Sequence, residues 1–406
     1  MRQKNKGRKI YKTKEKNYYG KSPVAKFFST GLTVLLFGGI VFIGYSVAEP
    51  IINHTKKAGD KISSALNTSE DIQEATEAAT DETSDESSGA DQNTAAANKQ
   101  TFELYRAYAL RTNDMVNTAS VKDALSRIQK SSEVEYVEVP LKAKGGYIYY
   151  ASSVYDTYLA DAVQSTITLD EIVTAIKNAG YKPAAVVSTF RDNILPLTFP
   201  DTGYKTYDFG EMWIDDDYDA GGKPWTAPYS SAVQNYLSAI VGEISEAGFE
   251  RVICSDFVFP QFRQTDLDLL DPALSRSDRY MALTSAANLM YDKIMSSGSR
   301  MLIEVSAADV ICGRADVLQP MLLTANTVVV NIDIDEISHG VSDGWTVYEF
   351  EGNASDMTVK MLDFIGDKLD DFNVIIRISG TSVPTEDLIK AKDELAAHGY
   401  QSYVIG

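Results

Sequence analysis

Strand-like and helix-like runs alternate along most of the chain. Short apolar, β-branched stretches stand near Phe102–Leu110, Val134–Val139, Pro183–Thr189, Arg251–Asp256, Met301–Val305, Thr327–Ile332, Phe372–Ile378 and Gln401–Ile405. Between most of them lie segments with helical spacing, among them LDEIVTAIKNAG (169–180), SSAVQNYLSAIVGEISEAG (230–248) and PTEDLIKAKDELAAHG (384–399). Strands covered on both faces read as continuous apolar runs, whereas a helix on a core repeats its apolar positions three and four residues apart. Gly180, Gly248 and Gly399 stand where helices stop, and Asp170 and Pro384 where they start. Eight such strands alternating with helices predict an α/β fold, a (β/α)8 TIM barrel over residues 99–406. A doubly wound open sheet is the alternative, but no Gly-rich phosphate loop follows an early strand. Two stretches exceed the simple count: a long aromatic-rich connection at 190–229, and WTVYEF (345–350), which reads as a ninth strand or a short insertion.

Alternation within the strands then places side chains. In the sixth, Val328, Val330 and Ile332 share the face expected to pack on helices, which leaves Asp333 toward the barrel mouth. The same rule sets Glu138 opposite Val137 and Val139, and Arg377 opposite Ile376 and Ile378. Cys254 and Asp256 are expected on one face of the fourth strand, with Cys254 lining the barrel interior. Glu138, Asp256, Asp333 and Arg377, with Glu304 or Asp309 from the fifth strand, thus converge on one rim. A satisfied ion-pair network is the alternative reading for any one of them, but the convergence of several carboxylates on one rim favours a site.

Ahead of the barrel the pattern changes. Residues 27–48 (FFSTGLTVLLFGGIVFIGYSVA) carry no charge, enough for one transmembrane helix, which needs about 20 apolar residues. Residues 1–26 hold ten Lys/Arg against Glu15 alone, a basic tail that the positive-inside rule leaves in the cytoplasm with the barrel outside. This predicts a single-pass signal anchor in the cell membrane, touching the lipid bilayer through 27–48; secretion after cleavage near Ala48 is the competing outcome. Residues 49–98 are expected to be a disordered acidic linker: 59–98 hold ten Asp/Glu, one lysine and no aromatic, too little apolar surface to offset the entropy of ordering.

The net charge of −19 is strongly asymmetric, because the +9 tail leaves −28 on everything after it. Such a body repels phosphate backbones, so no nucleic-acid partner is expected. Two cysteines and three scattered histidines give neither a disulfide scaffold nor a multi-histidine metal site, and the sequence calls for no metal or cofactor. Asp215, Asp217 and Asp219 alternate as in a calcium loop, but Ala220 and Thr226 occupy the positions such a loop gives to Gly and Glu. Tyr204, Tyr207, Trp213, Tyr218, Trp225 and Tyr229 crowd the long connection, either as its own small core or as stacking faces for sugars.

GFERVICSDFVFP (248–260), with Trp225-x-x-Pro228-Tyr229 ahead of it, resembles a signature of a bacterial family of putative glycoside hydrolases, barrel proteins distantly related to the α-amylase type. VEVPLKAKGGYIYYAS (137–152), AGYKPAAVVSTFRDNIL (179–195), VSAADV (305–310) and ISHG (337–340) resemble further segments of it. One departure is plain: the Arg of the fourth-strand motif is missing, Asp256-Phe257-Val258 passing straight to Phe259-Pro260. The resemblance implies a hydrolase acting on a polysaccharide or cell-envelope glycan through paired carboxylates, Asp256 as nucleophile and Asp309 or Glu304 as acid. It implies substrate contacts from Glu138, Arg191, Asp192, Trp225, Asp333, His339 and Arg377. A barrel that binds glycan or acts as an envelope scaffold without catalysis remains the alternative.

Overall fold

The computed structural model describes residues 103–128, 133–270, 274, 276–313, 327–343, 345–369 and 372–406. The basic tail, the uncharged run 27–48 and the acidic linker lie outside the described residues. Among the described residues no helix is long and apolar enough to cross a membrane.

Ten strands are described: β1 (Arg106–Ala109), β2 (Tyr136–Lys142), β3 (Lys182–Ser188), β4 (Arg251–Ser255), β5 (Arg300–Ser306), β6 (Thr327–Asp333), β7 (Val341–Ser342), β8 (Val347–Tyr348), β9 (Asn373–Ser379) and β10 (Tyr403–Ile405). Eight close into a parallel barrel in the order β1-β10-β9-β6-β5-β4-β3-β2, with β2 paired back to β1. The expected (β/α)8 architecture is therefore the one found. The segment 345–350 does not add a ninth barrel strand: β7 and β8 form a separate antiparallel hairpin, and β9 is the seventh strand of the barrel.

Helices α1 (Thr118–Arg127), α2 (Leu169–Asn178), α3 (Ser231–Glu246), α4 (Arg276–Ser296), α5 (Ala307–Ile311), α6 (Ile334–Ile337), α7 (Ala354–Ile365) and α8 (Thr385–Ala397) lie in the connections. Their starts are written in side chains. Thr168 Oγ1 accepts from Glu171 N while Glu171 Oε2 accepts from Thr168 N, a reciprocal box that satisfies donors the helix cannot. Asn353 and Asp356 repeat it at α7.

Each barrel strand sends alternate residues outward into the apolar layer under the helices. Val137, Val139 and Leu141 of β2, Val328, Val330 and Ile332 of β6, and Ile172, Ile240 and Leu362 of the helices belong to it. Each such side chain stabilises by about 1.5–3 kcal/mol when fully buried. The inward residues form a second, smaller cluster, including Ala107, Tyr136, Ala184, Ile253, Leu302, Val329, Ile375 and Val404. Cys254 is thus a correction: it is buried in the outer layer, and its neighbour Ile253 faces the interior.

The barrel floor is closed at the N-terminal ends of the strands. Tyr105 and Tyr136 pack with ring centroids 4.7 Å apart, and the Arg251 guanidinium lies 5.3 Å from the Tyr136 ring centre. Glu103, just before β1, reaches Arg251 Nη2 at 2.8 Å and Arg300 Nη1 at 3.4 Å.

Candidate active site

Above the apolar filling, the inward positions turn polar: Glu138, Ser188, Glu304, Asn331 and Arg377 follow Tyr136, Val186, Leu302, Val329 and Ile375 by two residues. A lone charge there would be expelled by desolvation, so the charges come as a set. Arg377 Nε donates to Glu304 Oε2 at 2.6 Å, and Arg377 Nη2 lies 2.5 Å from Glu138 Oε2, a charge contact rather than an aligned hydrogen bond. Tyr105 Oη donates to Glu138 Oε1 at 2.8 Å. Burial works against the Arg377 charge, but Glu138 and Glu304 outweigh it and hold the guanidinium protonated. Burial pushes the Glu304 carboxyl up, Arg377 pulls it down, and Glu138 and Asp256 add to the rise; the net direction is upward.

A cavity of about 630 Å³ opens above this set at the C-terminal face. Of the residues picked from sequence, Asp256, Glu304, Asp309, Arg191, Trp225 and Asp333 line it together. Trp225 is fixed by its indole N–H on Asp215 Oδ2 (2.9 Å), and the Arg191 guanidinium lies 5.0 Å from its ring centre. The other carboxylate oxygen of Asp215 accepts from Lys223 N at 2.7 Å, so the DDDYD turn spends this residue on its own loop. Tyr204, Trp213, Tyr229 and Phe262 pack edge-on at centroid distances of 5.0–5.8 Å, a small core of the long connection.

Asp256 follows β4 directly with φ of 50°, a left-handed conformation that Asp tolerates better than most residues. Continued alternation would have turned its side chain outward with Cys254; the left-handed residue brings it to the cavity instead. Three groups at the end of β3 hold it. Ser188 Oγ donates to Asp256 Oδ2 at 2.6 Å, Thr189 Oγ1 donates to Asp256 O at 3.0 Å, and Phe190 N donates to the same carbonyl at 3.4 Å.

Four expected substrate contacts sit elsewhere. Glu138 and Arg377 belong to the buried set just described rather than to the cavity lining. Asp192 is 1% exposed and pairs with Lys142 Nζ at 3.0 Å, while its Oδ1 accepts from Ile194 N and Leu195 N. His339 is exposed, with Nδ1 2.8 Å from the Asp335 carbonyl, and does not line the cavity.

Sequence reading missed Glu336, which lines the cavity and accepts from Ser306 Oγ at 3.1 Å. Although the residue is exposed, desolvation of its carboxyl against the cavity wall raises its pKa, Ser306 opposes the rise, and Asp309 and Asp333 add to it. Its only sequence signal is its place three residues after Asp333, whose Oδ1 caps α6 by accepting from Asp335 N and Glu336 N. Asp335 turns the other way and accepts from Thr381 and Ser382 of the β9 loop, which lowers its pKa to about 2. Among the described residues no cluster of three or more His, Cys, Asp or Glu side chains is arranged to hold a metal ion.

Residues 109–315 match the model of a family described as "Putative glycosyl hydrolase domain". No curated protein matches the sequence. Among solved structures, the PgaB (BpsB) glycoside hydrolase domain from Bordetella bronchiseptica is 11% identical and aligns over 74% of this chain and 93% of its own, with a TM-score of 0.50. An α-galactosidase from Thermus thermophilus is 12% identical over 76% of this chain and 58% of its own, with a TM-score of 0.46. A hypothetical protein from Ruminiclostridium thermocellum is 16% identical over 48% of this chain and 96% of its own, with a TM-score of 0.38. At these identities the likeness to PgaB speaks for the barrel fold alone.

Proposed function

Because the chain belongs to the family of putative glycosyl hydrolase domains, we propose that its barrel hydrolyses a glycosidic bond in a polysaccharide or cell-envelope glycan, with Asp256 and Glu304 as the reacting carboxyls. The observation that carries this reading is their placement on neighbouring strands. Asp256 follows β4 directly and Glu304 belongs to β5; both line one cavity, and the negative charge of Asp256 helps raise the Glu304 carboxyl. A glycosidase needs two carboxyl groups in opposite protonation states at one pH, and unequal environments provide them.

Glu304 gives its proton to the glycosidic oxygen as the bond from that oxygen to the anomeric carbon breaks. Asp256 attacks the same carbon and forms a glycosyl ester. Water, deprotonated by Glu304, then displaces the ester, so one water is consumed and both carboxyls return to their starting states. Trp225, backed by Arg191, offers a face for a sugar ring, and Asp309, Asp333 and Glu336 accept hydrogen bonds from hydroxyls on the β5–β6 side. Arg377 and Glu138 act from beneath by orienting Glu304.

The uncharged run 27–48 and the +9 tail support a single-pass anchor with the barrel outside the cell, linked by 49–98. The test of the enzymatic reading is hydrolysis of a panel of aryl glycosides and cell-wall polysaccharides by the full chain, beside Asp256→Asn and Glu304→Gln. Turnover that both substitutions abolish supports it. Background rates in all three proteins, with glycan binding retained, would leave a non-catalytic glycan-binding barrel.

A further inference from the structure

The buried pair of Lys142 and Asp192 has no place in the chemistry above, yet it is expensive to maintain. Lys142 is 0% and Asp192 1% exposed, and a charge taken wholly out of water survives only with partners. Their location says what they support. Lys142 Nζ lies 3.0 Å from Asp192 Oδ2 and donates at 2.8 Å to the carbonyl of Ser188. The hydroxyl of the same Ser188 donates to Asp256 Oδ2 at 2.6 Å. Asp192 is fixed in turn by two backbone N–H groups and by Gly146, where a Cβ would stand 2.2 Å from Asp192 Oδ1.

We propose that Ser188 is a positioning residue for Asp256, clamped from behind by the Lys142–Asp192 pair; this deepens the hydrolase reading and rests on it. Ser188 is 2% exposed, so its hydroxyl is closed to a glycan and serves the protein. It engages one carboxylate oxygen only. Among the described residues no hydrogen bond is made to Asp256 Oδ1, so one oxygen is tied and the other is left for the anomeric carbon. Among the described residues the Ser188 hydroxyl is the one hydrogen-bond donor to the Asp256 carboxylate, so it fixes that group's torsion. Displacing a reacting group by about 1 Å can cost on the order of 100-fold in rate, so a single short hydrogen bond at this point matters.

The experiment uses the full chain and whichever substrate of the panel the wild type turns over. Ser188→Ala and Ser188→Cys are expected to lower kcat by about 10- to 100-fold with KM within about twofold, since neither offers a strong donor. Ser188→Thr, which keeps the hydroxyl, is expected to retain most of the wild-type kcat. A wild-type kcat in Ser188→Ala would overturn the proposal, as would equal losses in the Ala, Cys and Thr variants, the pattern of a merely structural position. Thermal melts run alongside separate lost folding from lost positioning: if the Ala variant unfolds, the Cys and Thr pair alone decides. A wild type inert to the whole panel removes the hydrolase reading and this assignment with it. Wild-type turnover with unaffected variants removes only the assignment.

Discussion

Arg377 Nε and Glu304 Oε2 stand 2.6 Å apart inside the barrel, tying β9 to β5 past β6, the strand between them. Because Arg377 also meets Glu138, one guanidinium serves a fully buried carboxyl and the largely buried one of Glu304. Arg377→Met therefore strands both acids in the barrel and should destabilise the protein by about 3–5 kcal/mol. Arg377→Lys should recover only part of this, since an ammonium lacks the planar fork that reaches two carboxylates. Urea unfolding midpoints of the two variants check it; a Lys variant equal to wild type would show that charge alone suffices.

The raised carboxyl of Glu304 sets the expected pH dependence. Its working form is protonated, so activity is present below its pKa and falls as pH rises through it. The alkaline limb of kcat/KM should accordingly lie above the range of an ordinary glutamate. Arg377→Met removes the one strong influence that pulls the carboxyl down, and should move that limb further up wherever the variant stays folded. A limb at the ordinary position in both proteins would remove Glu304 as the acid.

Cys254 is fully buried, and burial pushes its thiol up and out of reach of thiol reagents. Cys312 is partly exposed at the end of α5. Titration with an aromatic disulfide reagent should count one reactive thiol in the native protein and two in denaturant. Two in the native state would contradict the packing of Cys254 between barrel and helices.

For the N-terminal region the expectation is a single crossing with the basic tail inside. Protease added to intact cells should release the barrel while sparing a tag at Met1, given the charge bias across 27–48. Loss of the N-terminal tag under the same conditions would reverse the orientation.

The barrel was legible because its strands keep a period of two over most of their length, the register shift in β2 between Pro140 and Lys142 notwithstanding. Val328, Val330 and Ile332 could pack only outward, and Asp333 then had to reach the mouth. Where the period breaks, sequence reasoning breaks with it. Asp256 reaches the cavity through a left-handed residue, so the rule that placed it beside Cys254 misplaced Cys254. Asp192 looked like a site residue through the family resemblance of 179–195; its partner Lys142 lies on another strand, and only the fold joins them. Glu336 could not be seen for the related reason that Ser306 and Asp309, which complete its surroundings beside Asp333, come from the end of β5 and from α5 and are brought close only by the fold.

The closed floor has a mechanical consequence. β1 starts at the floor, with Glu103 just ahead of it and away from the carboxylate-lined mouth, so a pull on the N-terminal side of β1 is applied at the bottom of that strand. That strand is registered to Tyr403–Ile405 on one side and Tyr136–Glu138 on the other, and a pull along it loads both ladders in shear rather than peeling one bond at a time. Glu103, just ahead of β1, shares one carboxylate between Arg251 and Arg300 on two further strands. Stress is thereby spread over β1, β4 and β5 before any ladder yields. In single-molecule pulling from the N-terminal side, Glu103→Ala should lower the force at the first yielding event while the full extension stays unchanged.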